Sequence, residues 1–237
     1  MSSLPSLVFE ALTAVMQGKI PPVSVLKLLI SKLLGIAILG GSCINKLPQI
    51  RNLLASSSAA GLSPLSFELE TVGLIIHSSY GFLSKMSFGS YGETVILAAQ
   101  NLVILALVYR FAKLSTSRVM LVGAVLVGLL GAVFSGHVTP QIADIVFQAN
   151  SVLVLCARVP QILKNQRGRN TGQLSVFNFA MNVAGNVARI FTSTQEGGGW
   201  VMVRGYILSL CLNLILVTQI AVFGSKGKKV KRKAKAQ

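Results

Sequence analysis

Apolar and polar positions fall in long blocks along this chain, not in short alternations. From Leu33 onward, seven apolar runs of roughly 17–25 residues are separated by short polar stretches, and that length matches a helix crossing a bilayer. The runs cover about Leu33–Leu53, Leu65–Leu83, Glu93–Phe111, Val119–Phe134, Ile142–Leu163, Leu174–Thr194 and Trp200–Phe223. The pattern predicts an all-α, polytopic membrane protein with seven transmembrane helices. Residues 1–32 are less apolar and are interrupted by Lys19 and the Pro21-Pro22 pair. They lack the basic start, compact apolar centre and small-residue cleavage site of a signal peptide, so they read as one or two short interfacial helices.

Two of the runs contain a proline in the same setting. Lys46-Leu47-Pro48-Gln49 lies in the first and Arg158-Val159-Pro160-Gln161 in the fifth, so that the two motifs differ in numbering by 112. A proline inside a helix removes a backbone donor and clashes with the preceding turn, so it bends the helix. Pro48, Gln49, Pro160 and Gln161 are therefore candidate hinge residues. The register extends further: Ser63 matches Ser175, Phe67 matches Phe179 and Gly73 matches Gly185. A loop signal precedes each serine, Gly61-Leu62 in one copy and Gly172-Gln173-Leu174 in the other. Self-similarity at one offset predicts a duplicated unit. Residues 33–111 would form one three-helix repeat and 142–223 the other, with 119–134 as a linker helix and 224–237 as a tail. An odd linker helix restores orientation, so the two repeats run parallel in the membrane. Gly35, Gly40, Gly41, Gly73 and Gly185 read as positions of close helix packing.

Composition agrees with the pattern. The chain is 52% hydrophobic and 12% charged, against about 25% charged in a typical soluble domain. Cys43, Cys156 and Cys211 stand far apart in apolar runs and form neither a disulfide framework nor a metal-ligand pattern. Net charge is +16, concentrated in Lys226, Lys228, Lys229, Lys231, Arg232, Lys233 and Lys235. No aromatic residues interleave with these cations, so nucleic acid is not an expected partner. A basic tail after an apolar helix reads as cytosolic and lipid-facing. The loops give the same orientation. Arg51, Arg110, Lys113, Arg118, Lys164, Arg167, Arg169 and the tail fall on one side. Lys19, Lys27, Lys32, Lys85 and Arg204 fall on the other. The N-terminus is thus expected outside or in a lumen, and both Pro-Gln bends towards the cytosol.

The sequence holds no nucleophile–base pair, metal cluster or phosphate-cradling glycine loop, so neither an enzyme nor a bound cofactor is expected. The candidate chemistry lies in ionisable groups at membrane depth, where an arginine costs roughly 2.5–3.5 kcal/mol on insertion scales. Lys46 and Arg158 are repeat-related, and so are His77 and Arg189. Arg189 lies about 15 residues into its run, or roughly 22 Å at 1.5 Å per residue, towards the lumenal half. These four form a candidate substrate-binding set for an anionic headgroup such as a phosphodiester. Two alternatives stand beside that reading: Lys46 and Arg158 snorkel to lipid phosphates, and Arg189 takes Glu196 as a structural partner. Asn182 and Asn186 are candidate lining residues or interhelical hydrogen-bond groups. Glu68 and Glu70 either pair with Lys46 or sit at the interface. Asp144 is the only aspartate and lies near the lumenal start of the fifth run.

Taken together, the two Pro-Gln motifs in the first and fifth of seven runs resemble the PQ-loop repeat superfamily, which includes sugar carriers of the SWEET type and lysosomal amino-acid exporters. A proton-coupled carrier needs a membrane-embedded carboxylate, so the lysosomal branch fits poorly. The chain more specifically resembles the mannose-P-dolichol utilization branch. The resemblance is carried by Lys46-Leu47-Pro48-Gln49, Gly61-Leu62-Ser63, Tyr91-Gly92-Glu93, Thr171-Gly172-Gln173-Leu174-Ser175, the basic tail, and above all Ala188-Arg189-Ile190-Phe191-Thr192-Ser193 with Gln195-Glu196. The resemblance implies residence in the endoplasmic reticulum membrane. It also implies a role in lumenal use of dolichol-phosphate mannose and dolichol-phosphate glucose. Whether such a protein moves the lipid or presents it to glycosyltransferases stays open, as does carriage of free sugar. Lys233 and Lys235 resemble a cytosolic dilysine retrieval signal.

Overall fold

The structure, a computed structural model, describes residues 3–60, 62–169 and 176–234. The side chains of 153–158, 160–161, 164, 176–178 and 224–234 lie outside that description. Every regular element among the described residues is an α-helix. In chain order these are α1 (Leu4–Met16), α2 (Val23–Asn45), α3 (Leu47–Ser56), α4 (Pro64–Leu83), α5 (Phe88–Ala112), α6 (Thr116–Phe134), α7 (Pro140–Gly168), α8 (Val176–Gln195) and α9 (Trp200–Ala234).

The helix boundaries repeat the sequence register. Helices α4 and α8 each hold 20 residues, and both their ends are offset by 112. Helices α5 and α9 begin at Phe88 and Trp200, the same offset. The turn before each also repeats, with positive φ at Lys85 (53°) and Gly197 (70°). Glycine takes the left-handed region without steric cost, whereas lysine in the first copy occupies it against its preference. Local chemistry explains the start of α4: Ser63 accepts a hydrogen bond from Ser66 N at 3.3 Å, and Pro64 occupies the first turn, where its missing N–H costs nothing.

Among the described residues, four helical stretches are long and apolar enough to cross a membrane: Val23–Ser56, Phe88–Ala112, Thr116–Phe134 and Trp200–Phe223. Helices α4, α7 and α8 are long enough, at 20, 29 and 20 residues, but carry more polar positions. The first apolar run departs from the sequence reading. It begins as helix at Val23, not Leu33, and takes in Lys27 and Lys32. Charge marked these residues as interfacial, but Lys32 has a counterion in Glu196, 3.5 Å from its ammonium. Pro48 also does more than bend the run: α2 stops at Asn45, Lys46 turns, and α3 starts at Leu47.

The chain divides into two units. The first comprises Met1–Phe147 with Gln195–Gly198, and the second Gln148–Thr194 with Gly199–Gln237. In the first unit α5 is the central helix, packed on α4, α2 and α3, while α6 rests on α4. Its core joins Leu53 of α3, Phe67 and Ile75 of α4, Ile104, Leu105 and Val108 of α5, and Leu126 of α6. The glycine readings hold unevenly. Gly35 approaches Gly89, a Cβ there lying 3.9 Å from the Gly89 carbonyl oxygen, whereas Gly40, Gly41 and Gly185 have open space around them among the described residues. In the second unit Met202, Val203, Leu216 and Ile220 of α9 are buried, together with the polar side chains of Asn165, Thr192, Ser193, Asn213 and Gln219.

Candidate functional site

The break at Lys46 exposes backbone groups that a continuous helix would pair. Helix α2 ends at Asn45, so its last carbonyls lack the N–H groups of a following turn. Gln100 of α5 meets them: its Nε2 donates to the Ser42 carbonyl at 3.1 Å and the Cys43 carbonyl at 2.6 Å. Its Oε1 accepts from the Lys46 backbone N–H at 3.2 Å. One side-chain amide thus serves both ends of the break, which lets it persist at membrane depth. On the outer side of the break, Ile44, Leu47, Pro48, Ile50, Arg51 and Leu54 line an open apolar groove.

The Lys46 side chain turns inward and is 12% exposed. Its ammonium group donates to Glu70 Oε1 at 2.7 Å and to Asn101 Oδ1 at 2.6 Å, and lies 6.0 Å from the centre of the Phe67 ring. Asn101 is fully buried and donates in turn to the Phe67 carbonyl at 3.1 Å and to Thr71 Oγ1 at 2.9 Å. Helices α2, α4 and α5 are therefore joined by one chain of hydrogen bonds around a single ion pair. The pairing with Glu70 was one of the two sequence readings. Glu68 goes elsewhere: it accepts from Arg118 Nε and Nη2, each at 2.9 Å, and from the Tyr109 hydroxyl at 2.9 Å. This bidentate pair ties the start of α6 to α4.

His77 also belongs to the first unit, half-buried, with its ring edge-on to Phe147 at 5.0 Å. Glu196 is buried and is held by Ser31 Oγ at 3.0 Å, Ser87 Oγ at 2.5 Å and Lys32 Nζ at 3.5 Å. It is therefore engaged by α2 and by the residue preceding α5.

The second unit holds Arg158, Arg189, Asn182 and Asn186. Arg189 is 5% exposed, Asn182 is exposed and Asn186 half-buried. The side chains of Arg158, Pro160 and Gln161 lie outside the described residues, as do Thr171-Gly172-Gln173-Leu174-Ser175 and the Lys233 and Lys235 side chains. Here too a glutamine of the last helix meets backbone of an earlier one. Gln219 donates to the Ile162 carbonyl at 3.0 Å and accepts from Asn165 Nδ2 at 3.1 Å.

Sequence reasoning missed Gln100 and Asn101, although the second had a signal. Asn101 and Asn213 are related by the repeat offset, and both are fully buried. Gln100 has leucine at the corresponding position, Leu212, so the register carries no trace of it. Among the described residues no cluster of His, Cys, Asp and Glu has metal-binding geometry.

These features define a multi-pass, all-helical membrane protein built on a duplicated helical unit, with a Pro-Gln pair at a helix break in its first copy. The chain belongs to the PQ-loop repeat family: its pattern matches residues 30–89 and 142–202, two segments whose starts stand at the same offset as the Pro-Gln pairs. The chain is also similar to the human protein named solute carrier family 66 member 3, 24% identical over 179 residues that span 74% of this chain and 85% of that relative.

Proposed function

We propose that this protein supports the use of dolichol-phosphate mannose and dolichol-phosphate glucose in glycosylation by carrying the lipid-linked sugar phosphate across a bilayer. The stretch from Ala188 to Glu196 supports this reading. It resembles the mannose-P-dolichol utilization defect 1 protein and contains both the buried Arg189 and the engaged Glu196. The observation that carries it is a buried arginine in a duplicated membrane unit of a family with a solute-carrier relative. An arginine so placed suits a phosphate. In this reading Arg158 and Arg189 are phosphate contacts, with Lys46 and His77 as their repeat partners and Asn182 and Asn186 lining the path. The Pro48-Gln49 and Pro160-Gln161 breaks serve as hinges. Seven helices span the membrane as two parallel three-helix repeats around the linker α6.

Liposomes with purified protein and a labelled dolichol-phosphate mannose analogue test the proposal. The analogue is expected to cross between leaflets, and Arg189→Gln to slow it at unchanged protein recovery. If the analogue binds but keeps its leaflet, the protein presents the lipid to glycosyltransferases instead. The solute-carrier relative favours a second reading, a carrier of free sugar or another small solute, and liposomes that take up free mannose while ignoring the lipid would establish it.

The proposed setting is the endoplasmic reticulum membrane, with the N-terminus lumenal and Lys233 and Lys235 as a cytosolic retrieval signal. Changing both lysines to serine is expected to move the protein to later compartments in cell fractionation. An unchanged distribution would reduce the tail to a lipid-attracting patch.

A further inference from the structure

Cations of the first unit differ in whether a carboxylate reaches them. Lys32 has Glu196, Lys46 has Glu70 and Arg118 has Glu68. Arg51 of α3 has no such partner among the described residues. It is exposed and stands on the wall of the apolar groove beside the helix break. Arg110 and Lys113, at the end of α5, are not part of that wall. A guanidinium left unpaired among apolar side chains keeps its charge and its fork of donors for an oxyanion from outside the protein.

The break itself makes the groove. Ile44 belongs to α2, and Leu47, Ile50 and Leu54 to α3, so the lining spans the point where the chain turns. Along α3, Leu47, Arg51, Leu54 and Ala55 share one face by their spacing, while Leu53 faces the core. The groove holds about 910 Å³, within the roughly 300–1,000 Å³ of ligand pockets. Its chemistry is graded along the helix. Ile44, Leu47 and Pro48 are apolar, Arg51 stands about 6 Å beyond Leu47 at 1.5 Å per residue, and Ser56, Ser57 and Ser58 follow the last lining residue, Ala55. Helix α6 gives the contrast: it exposes Met120, Leu121 and Val127, but its single cation, Arg118, is taken by Glu68. A purely apolar face is covered by any hydrocarbon of the bilayer, whereas an apolar groove with one unpaired guanidinium complements an amphiphile bearing one phosphate.

We propose that this groove is the docking site of an isoprenyl lipid phosphate, with the chain against Ile44, Leu47, Pro48 and Leu54 and the phosphate on Arg51. A sugar on that phosphate is directed towards Ser56, Ser57 and Ser58. The single charge of a phosphodiester is matched by the single guanidinium. The chain lies on the outside of the unit, so a long lipid need not be enclosed. Because the lining comes from both α2 and α3, a change in the bend between them changes the groove, and a bound chain favours the bend that fits it. This inference rests on the lipid-phosphate reading above and adds to it the place where the lipid is received.

Photolabelling tests the charge and the groove separately. The full-length protein in nanodiscs is titrated and irradiated with a short-chain isoprenyl phosphate carrying a diazirine on its chain, with the same compound bearing mannose on its phosphate, and with the corresponding isoprenol. Empty nanodiscs set the background, and peptide mapping locates the label, expected within residues 44–55 for both phosphates. Arg51→Gln should raise the half-labelling concentration of both phosphates at least about tenfold, the scale of one lost charge-assisted hydrogen bond, and leave the weaker isoprenol labelling unchanged. Arg51→Lys keeps the charge and should recover part of the loss. Ala55→Trp fills the groove with Arg51 intact and should weaken all three probes. Arg110→Gln removes an exposed cation outside the groove and should stay within about twofold of the unchanged protein. Thermal melting and a monodisperse elution profile separate loss of fold from loss of site. Unchanged labelling with Arg51→Gln or with Ala55→Trp, or equal loss with Arg110→Gln, overturns the groove, and the carrier reading survives if the mannosyl lipid still binds. Competition by an equal mole fraction of phosphatidic acid makes the occupant ordinary phospholipid and overturns the isoprenyl assignment. If the sugar-free phosphate labels with this dependence and the mannosyl form does not, the groove stands and the sugar-carrying function falls. Labelling by neither phosphate above background overturns both.

Discussion

At the break beside Lys46, one side chain meets three backbone groups that the bilayer cannot. Gln100 donates to the Ser42 and Cys43 carbonyls and accepts from the Lys46 N–H. An unsatisfied buried polar group costs about 1–3 kcal/mol, although interhelical hydrogen bonds within membranes average nearer 0.6. Gln100→Leu removes all three bonds at similar volume and should cost about 1–2 kcal/mol, because α2 and α3 can relax only partly around Pro48. At roughly 2–4 °C per kcal/mol for a chain of this size, melting should fall by about 2–8 °C. A melting temperature equal to that of the unchanged protein would mean that the break satisfies its own backbone. Lys46 differs in kind. Its ammonium already holds Glu70 and Asn101, so a ligand phosphate there must displace a carboxylate 2.7 Å away. Sequence could present Lys46 as a cation at membrane depth. It could not show which of Glu68 and Glu70 lay within reach, because that depends on the rotation of α4 about its axis.

Helices of this chain are legible where chemistry is local and obscure where a partner is remote. The Pro-Gln pairs, the Ser63 cap and the repeat offset are signals readable along the chain, and the ends of α4 and α8 reproduce that offset. The start of α2 was misplaced because Lys27 and Lys32 look interfacial until Glu196, far along the chain, supplies a counterion for the second. Close packing was misassigned for a similar reason. The apolar runs pointed to Gly35, Gly40, Gly41, Gly73 and Gly185; Gly35 does approach Gly89, but among the described residues a tighter helix–helix approach is at Gly81, where an added Cβ would collide with the Tyr91 ring. That contact binds α4 to α5 just ahead of the Lys85 turn. Gly81→Ala should therefore strain the pair by about 1–3 kcal/mol, the usual cost of overpacking a well-filled contact. Gly40→Ala, with nothing within 4 Å, should be neutral or slightly stabilising through helix propensity. Comparing the two proteins in one thermal series checks this, and equal melting temperatures would remove the contact from the account.

For the whole molecule, duplication has kept the frame and let the charge diverge. The turns at Lys85 and Gly197 share a backbone conformation, and Asn101 and Asn213 share burial, yet the carboxylates remained with one unit. Such a chain is oriented by its loops, since Lys and Arg near membrane ends set topology while acidic residues contribute little. The carboxylates that neutralise Lys32, Lys46 and Arg118 therefore do not blur the signal. If all seven apolar runs of the sequence cross the membrane, fourteen Lys and Arg fall on the side of Arg51, Arg110 and the tail, and five on the side of Lys19 and Lys85. The bias requires α4 and α8 to cross in the same direction, which follows if the linker α6 crosses as well. Glycosylation-acceptor tags in individual loops test that arrangement directly. Tags next to Lys85 and next to Gly197 should both be modified, for these turns are repeat-related and lie on the sparsely charged side. Tags between Lys113 and Ser115, and between Lys164 and Thr171, should stay unmodified. A modified tag in the last position would reverse the second repeat and with it the parallel arrangement, because α7 and α8 would then run opposite to their counterparts in the first.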